Sequence, residues 1–385
     1  MEAALIQTGS NRDLRVDFFR GLALWWIFID HIPANWVAQF SLRNFALSDA
    51  TEIFVLLAGY AAAIAYGRSY DRYGWLFAGA DVVRRAWTLY IAHIFLFVVF
   101  VAQVSYSATA LDRSDYLDEI HLDVLADAPY RAMMQALLLN FQPAYLNILP
   151  MYVVLLLMFA VALPLLNWPW VLGGLSFALY ATSRTLGWNL PSWTDGGWYF
   201  NPLCWQLLFM IGAIMSRRSL RPPVPRWLVD AAAGLVVAIG LLLVWLVWPS
   251  DDVSASVPRF LVRAVLLVDK EGMHPMRLLS ILALTWLVVR LVPFHAAWLR
   301  TRYAAPFVLC GQHSLPVFCS GIFLSFLGRL AMEEDGSWIV QAGVNIAGPA
   351  AMTAVAGLAA WYRQKGGVAR AGLPSAPHAD SAEVI

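Results

Sequence analysis

The chain has 385 residues, 60% of them hydrophobic and only 13% charged, and its mean hydropathy is +0.63. That composition lies outside the range of soluble globular domains and assigns most of the chain to lipid. A net charge of +1, with no basic stripe beyond what membrane orientation requires, excludes nucleic acid as a partner.

A membrane span needs about 20 mostly apolar helical residues, and such runs begin near residues 18, 50, 84, 147, 169, 200, 227, 275, 304 and 338. The expected fold is all-α: a polytopic membrane protein of about ten transmembrane helices, in which residues 1–16 are an N-terminal segment, 17–363 the membrane domain and 364–385 a disordered tail. The first run lacks a small-residue cleavage site and is expected to stay as helix 1. Gly173-Gly174 leaves the bounds of the fifth run open, and Pro129 to Gln142, too short and mixed to span, reads as an interfacial stretch. Most Lys and Arg fall on one side if both termini are cytoplasmic. Asp112 to Asp127, Asp251-Asp252 and Glu333-Glu334-Asp335 then fall outside. Cys204, Cys310 and Cys319 sit singly in apolar segments and read as packing residues. The sequence has no internal repeat, no metal-ligand spacing and no phosphate-cradling glycine loop.

Ionisable groups inside a span are costly and mark function by default. In helix 1, Arg20, Leu24, Ile27 and His31 return to one face at about 100° per residue. His31 is placed in the outer half of the membrane, beside Asp30, as a general base. Helix 2 enters from outside with Asp49, an N-cap by position, and Glu52, the better carboxylate to orient the imidazole. Arg84 and Arg85 are read as opening helix 3 at the cytoplasmic side, ahead of Tyr90 and of His93, which reads as packing. With Arg20 they suit the phosphates of a nucleotide-like donor, although paired Arg also serve as plain orientation anchors. Gly311-Gln312-His313-Ser314-Leu315-Pro316 puts polar groups and a helix breaker into an apolar run, which predicts a kink beside a cavity. Ser314 is not read as a nucleophile, because adjacent helical residues diverge and no third partner is present. Asn201, Trp205 and Gln206, then Asp269, Lys270, His274 and Arg277, gather at outer helix ends, where Asn201, Gln206, Lys270 and Arg277 with His313 are candidates for substrate binding.

Together Arg15 to His31, Leu42 to Tyr60, Arg84-Arg85 with Tyr90 to His93, Asn201-Pro-Leu-Cys-Trp-Gln, Pro275-Met-Arg-Leu-Leu and Gly311 to Pro316 resemble the OpgC family of membrane acyltransferases. The likeness spans nearly all of the membrane region, and Asn147 stands where that family's pattern favours Asp. The resemblance implies an O-acyltransferase that succinylates osmoregulated periplasmic glucans in the bacterial inner membrane. Succinyl-CoA is then a co-substrate rather than a resident cofactor, with His31 as base and Arg84 and Arg85 on the coenzyme A phosphates. A competing reading is a transporter or flippase whose intramembrane His, Asp, Glu and Arg bind an anionic solute.

Overall fold

The structure is a computed structural model and describes residues 12–193, 196–217, 224–247 and 267–371. The segments 1–11 and 372–385, and Asp251-Asp252, lie outside the described residues. The described chain is helical throughout apart from its loops, with one isolated bridge between Pro191 and Gly197.

Helix α1 (Leu14–Asp30) starts where Asp13 accepts a hydrogen bond from the backbone N–H of Arg15, and it stops at His31. Pro33 two residues on disfavours the α conformation for Ile32, and Ala34 leaves the helical path at a φ of 56°. Helix α2 (Ala50–Ala110) is 61 residues long, about 90 Å if straight and far more than a bilayer. Gly74, at a φ of 81°, breaks it. Ser69 donates to Asp81 across the break at 3.0 Å, so the two limbs fold back on each other. Only glycine takes that backbone conformation cheaply. The turn therefore falls ten residues before Arg84, and the pair lies well inside the second limb instead of opening it.

After the short helices α3 (Asp115–Glu119), α4 (Asp123–Asp127) and α5 (Pro129–Leu137), α6 covers Ile148–Ala162 and α7 Pro169–Leu186. Helix α7 runs unbroken through Gly173-Gly174. Helices α8 (Pro202–Arg217), α9 (Arg226–Val247) and α10 (Pro275–Leu291) follow, then α11 (Ala305–Gln312), α12 (Ser314–Glu334) and α13 (Trp338–Ala371). The break expected near Pro316 occurs at His313, between α11 and α12. A proline ring clashes with the carbonyl four residues back, which is Gln312, the last residue of α11. Helix α13 runs to Ala371, into the 364–385 segment that the sequence assigns to the tail.

Five elements among the described residues are long and apolar enough to cross a membrane: Ala50–Ala110, Ile148–Asn167, Arg226–Trp245, Ser314–Glu334 and Trp338–Lys365. The protein is thus a multi-pass membrane protein. Helix α2 is central, with α6 and α8 against it, α1 between it and α11, and α7 on the far side of α8. Leu24, Phe28, Phe54, Phe100, Leu155, Trp205, Phe209 and Phe318 share one buried core. Two backbone crossings are glycine-lined. A Cβ at Gly59 would overlap the carbonyl of Phe209, and one at Gly311 would overlap that of Asp17, so small residues set the helix separations.

Gly311→Ala is expected to destabilise the fold by about 1–3 kcal/mol, the cost of overpacking a closed interface. Thermal unfolding in detergent checks this, with Gly174→Ala as the control, since a Cβ there meets nothing within 4 Å.

Candidate active site

The polar stripe of α1 ends in two separate sites. Arg20 and His31 are eleven residues apart, about 16 Å along the axis, with the buried Leu24 and Ile27 between them.

At the far end of α1, His31 Nδ1 lies 2.5 Å from the carbonyl oxygen of Ile27. A carbonyl only accepts, so Nδ1 carries the proton and Nε2 keeps the lone pair. Nε2 has no hydrogen-bond partner among the described residues, and the ring is only partly buried. The imidazole is therefore oriented by its own helix, and the sequence expectation that Glu52 orients it is corrected. Asp30 faces Arg43 instead, at 3.4 Å.

Glu52 is wholly buried and has two other tasks. One carboxylate oxygen accepts from the backbone N–H of Asp49 at 2.9 Å, closing a capping box with the Asp49 side chain. The other accepts from Arg277 Nε at 2.7 Å. Asp49 accepts from Arg277 at 3.0 Å and pairs with Lys270 at 2.7 Å. Two cations and two carboxylates thus close a neutral clamp around the start of α2.

Residues 267–274 carry Lys270 and lead into Arg277 on α10, and they are tied down by several hydrogen bonds. Arg184 grips Asp269 at 2.6 and 3.1 Å and the carbonyl of Gly272 at 3.0 Å. Trp205 donates to the carbonyls of Lys270 and Glu271, and Tyr180 to that of Met273. Burial pushes the Asp269 carboxyl up, but the hydrogen bonds from Arg184 and the Gly272 N–H outweigh it and hold it below the usual carboxylate range. Burial lowers the Lys270 ammonium, and Asp49 and Glu52 more than restore it, so it stays charged.

Two other candidates on this side are committed to the fold. Asn201 caps α8 by accepting from the N–H of Leu203 at 3.0 Å and donates to the carbonyl of Trp188 at 2.6 Å. Gln206 donates to the carbonyl of Ser176 at 2.7 Å from a fully packed position. Asn147, its amide nitrogen turned toward them, donates to the carbonyls of Gln142 and Pro143 at 3.3 and 3.1 Å.

Toward the start of α1, Arg20 donates to Ser314 Oγ at 2.6 Å and lies over the Phe54 ring. Its Nε is buried without a partner among the described residues. Arg85 and Tyr152 are within Coulombic range of it, and Tyr66 is within range of both. Asp17, the carboxylate nearest in sequence, is held by Arg12 at 2.6 and 2.9 Å, so it leaves Arg20 a surplus positive charge. Arg84 does not join them. It is exposed with Trp87, Ile91 and Phe95 on the outward face, whereas Arg85 turns toward the buried face of Val82, Ala86 and Leu89. His313 belongs to this end, within range of Asp17 and Arg363, and not beside Lys270 and Arg277. His93 is buried, and neither ring nitrogen has a partner among the described residues.

The sequence reading passed over Tyr145 and Arg329. The Tyr145 ring meets His31 edge-on at 4.8 Å between centroids, in a left-handed backbone conformation with φ of 71°. A bulky residue held there stores strain, as residues at functional sites often do. Its phenol lies within electrostatic range of Arg329, itself buried and paired with Glu119 and Glu333. No sequence signal marks Tyr145, since only the fold brings residues 31, 145 and 329 together. Among the described residues no group of His, Cys, Asp and Glu suits a metal ion.

A chain with this architecture and these residues can be compared with known proteins. The family described as OpgC protein matches residues 12–364. The chain belongs to the OpgC family. Membership gives it a role in modifying osmoregulated periplasmic glucans and the character of a transferase. No curated protein and no solved structure matches it.

Arg277→Gln is expected to cost about 3–5 kcal/mol by leaving Glu52 buried without its cation. The pair Arg277→Leu with Glu52→Leu is expected to regain most of that loss. Unfolding of the single and double variants in detergent checks the ordering.

Proposed function

We propose that this chain is an inner-membrane O-acyltransferase that carries an acyl group, succinyl by family analogy, from cytoplasmic acyl-CoA to hydroxyls of a periplasmic glucan. One observation carries the reading: a single helix holds a tautomer-fixed imidazole at one end and, about 16 Å away, an arginine with an unsatisfied N–H and a second arginine within Coulombic range. The His31 end is assigned to the periplasm and the start of α1 to the cytoplasm. That assignment follows the charges. Arg15, Arg68, Arg72 and Arg217 gather around the start of α1 and the Gly74 turn, with Asp13 and Asp71 as partners of two of them, while at the other end Asp115, Glu119 and Glu333 share Arg113 and Arg329. Ten spans with both termini cytoplasmic fit it.

Arg20 and Arg85 take the donor's phosphates through charge-assisted hydrogen bonds, and the donor's thioester reaches along the Leu24–Ile27 stripe to His31. A glucan hydroxyl entering from the periplasm loses its proton to His31 Nε2 as its oxygen attacks the thioester carbonyl. Collapse of the tetrahedral intermediate breaks the C–S bond, and the imidazolium returns the proton to the leaving thiolate. The bond from Nδ1 to Ile27 keeps the ring in the one tautomer that can begin this sequence.

The test is transfer of labelled succinyl-CoA to periplasmic glucan by purified protein. His31→Ala is expected to lower transfer by about 10²–10⁴-fold, the worth of a general base, with donor binding retained. Arg85→Gln is expected to weaken donor binding more than Arg84→Gln. Unimpaired transfer by His31→Ala contradicts the role of His31, and donor binding without transfer favours transport.

A further inference from the structure

The structure holds a second intramembrane site, unconnected with the polar stripe. Helices α9 and α10 pack on each other as a hairpin, joined by hydrogen bonds from Trp286 and Arg290 to Asp230. The hairpin meets the body chiefly at its ends. At the His31 end Arg277 holds Glu52 and Asp49, and the hydroxyls of Ser48 and Ser280 meet at 3.2 Å. At the other end Arg15 donates to the carbonyl of Val292 at 2.9 Å. Between these fastenings lies a cavity of ≈ 360 Å³, walled by α1, α2, α8 and α10. Neither His31 nor Arg20 lines it. On α1 its wall is Arg15, Phe19 and Trp26, a face turned about 100° from Arg20.

The wall has little to offer water. Apolar side chains make most of it, among them Ile53, Leu56, Leu57, Ile281, Leu284 and Val288. Thr285 spends its hydroxyl on the carbonyl of Ile281 at 2.7 Å, Trp286 spends its indole N–H on Asp230, and Arg15 is consumed by Asp13 and Val292. Tyr60 at the Asp13 end and the indole of Trp26 are the polar side chains of the wall without a hydrogen-bond partner among the described residues. A wall of this kind gains dispersion contacts from an apolar chain and little from water.

We infer that the cavity is a binding site for one acyl chain of a membrane lipid, held as a wedge between the hairpin and the body. Lipid tails are the apolar groups present at this depth in bulk. The one cation of the wall, Arg15, is already neutralised by Asp13, and Arg290 on α10 by Asp230, so the chain and not the headgroup charge selects the ligand.

The full chain is reconstituted with phosphatidylcholine bearing a mid-chain diazirine, irradiated, and its adducts are mapped by mass spectrometry. Adducts are expected on residues 53–57 and 281–288, lost in Leu284→Trp and in the milder Leu57→Phe. Adducts on the outward face of α9 at Leu235 and Leu242 are expected to persist in both, which also reports that the variants are folded. Unlabelled phosphatidylglycerol and phosphatidylcholine are expected to compete equally. Adducts absent from the two segments, or present and unmoved by both variants, overturn the site. Competition by phosphatidylglycerol alone overturns selection by the chain. Displacement by a long-chain acyl-CoA but not by phospholipid overturns the lipid as occupant.

Discussion

Charge buried in a low-dielectric interior has to be matched, and the clamp of Asp49, Glu52, Lys270 and Arg277 is where this protein meets that requirement. Glu52 cannot stay ionised without Arg277, and Arg277 reaches it only because residues 267–274 are held by Arg184, Trp205 and Tyr180. Helices α7, α8 and α10 are thereby referred to the start of α2. With its carboxylates committed there, the fold leaves the His31 imidazole to be fixed by the α1 backbone. Helix α1 therefore needs a defined end, which Pro33 supplies.

The two ends of α1 differ in a way that suits two kinds of ligand. Around Arg20 and Arg85 positive charge is in surplus and Nε lacks a partner, the condition for attracting an anion. Around His31 the charges cancel in pairs, and what remains is a ring nitrogen with a lone pair facing a partly open space. The proposed function assigns the first end to the donor's anionic head and the second to its reactive thioester.

Much of the membrane architecture is legible in the sequence, because the length of apolar runs depends only on the thickness of the bilayer. Asp49 as an N-cap and Pro316 as a breaker follow from local chemistry, and both appear. The roles that miss are those set by direction and by distant partners. Arg84 and Arg85 look equivalent on paper, yet adjacent helical residues point about 100° apart, and only Arg85 turns inward. Glu52 reads as a partner for His31 because Arg277, 225 positions away along the chain, cannot be assigned to it from spacing. Asn201 and Gln206 read as ligand groups because their carbonyl partners on Trp188 and Ser176 are backbone atoms that leave no trace in residue type. Tyr145 escapes notice for the same reason, since its place beside His31 is a property of the packed loop.

The central claim is that one chain passes an acyl group from one face of the membrane to an acceptor on the other. Proteoliposomes of uniform orientation, with labelled acyl-CoA sealed on the face of the Gly74 turn and glucan supplied only on the His31 face, test it directly. Labelled glucan is expected in this arrangement, and none when donor and acceptor exchange sides. Transfer only when donor and acceptor share one face would contradict it.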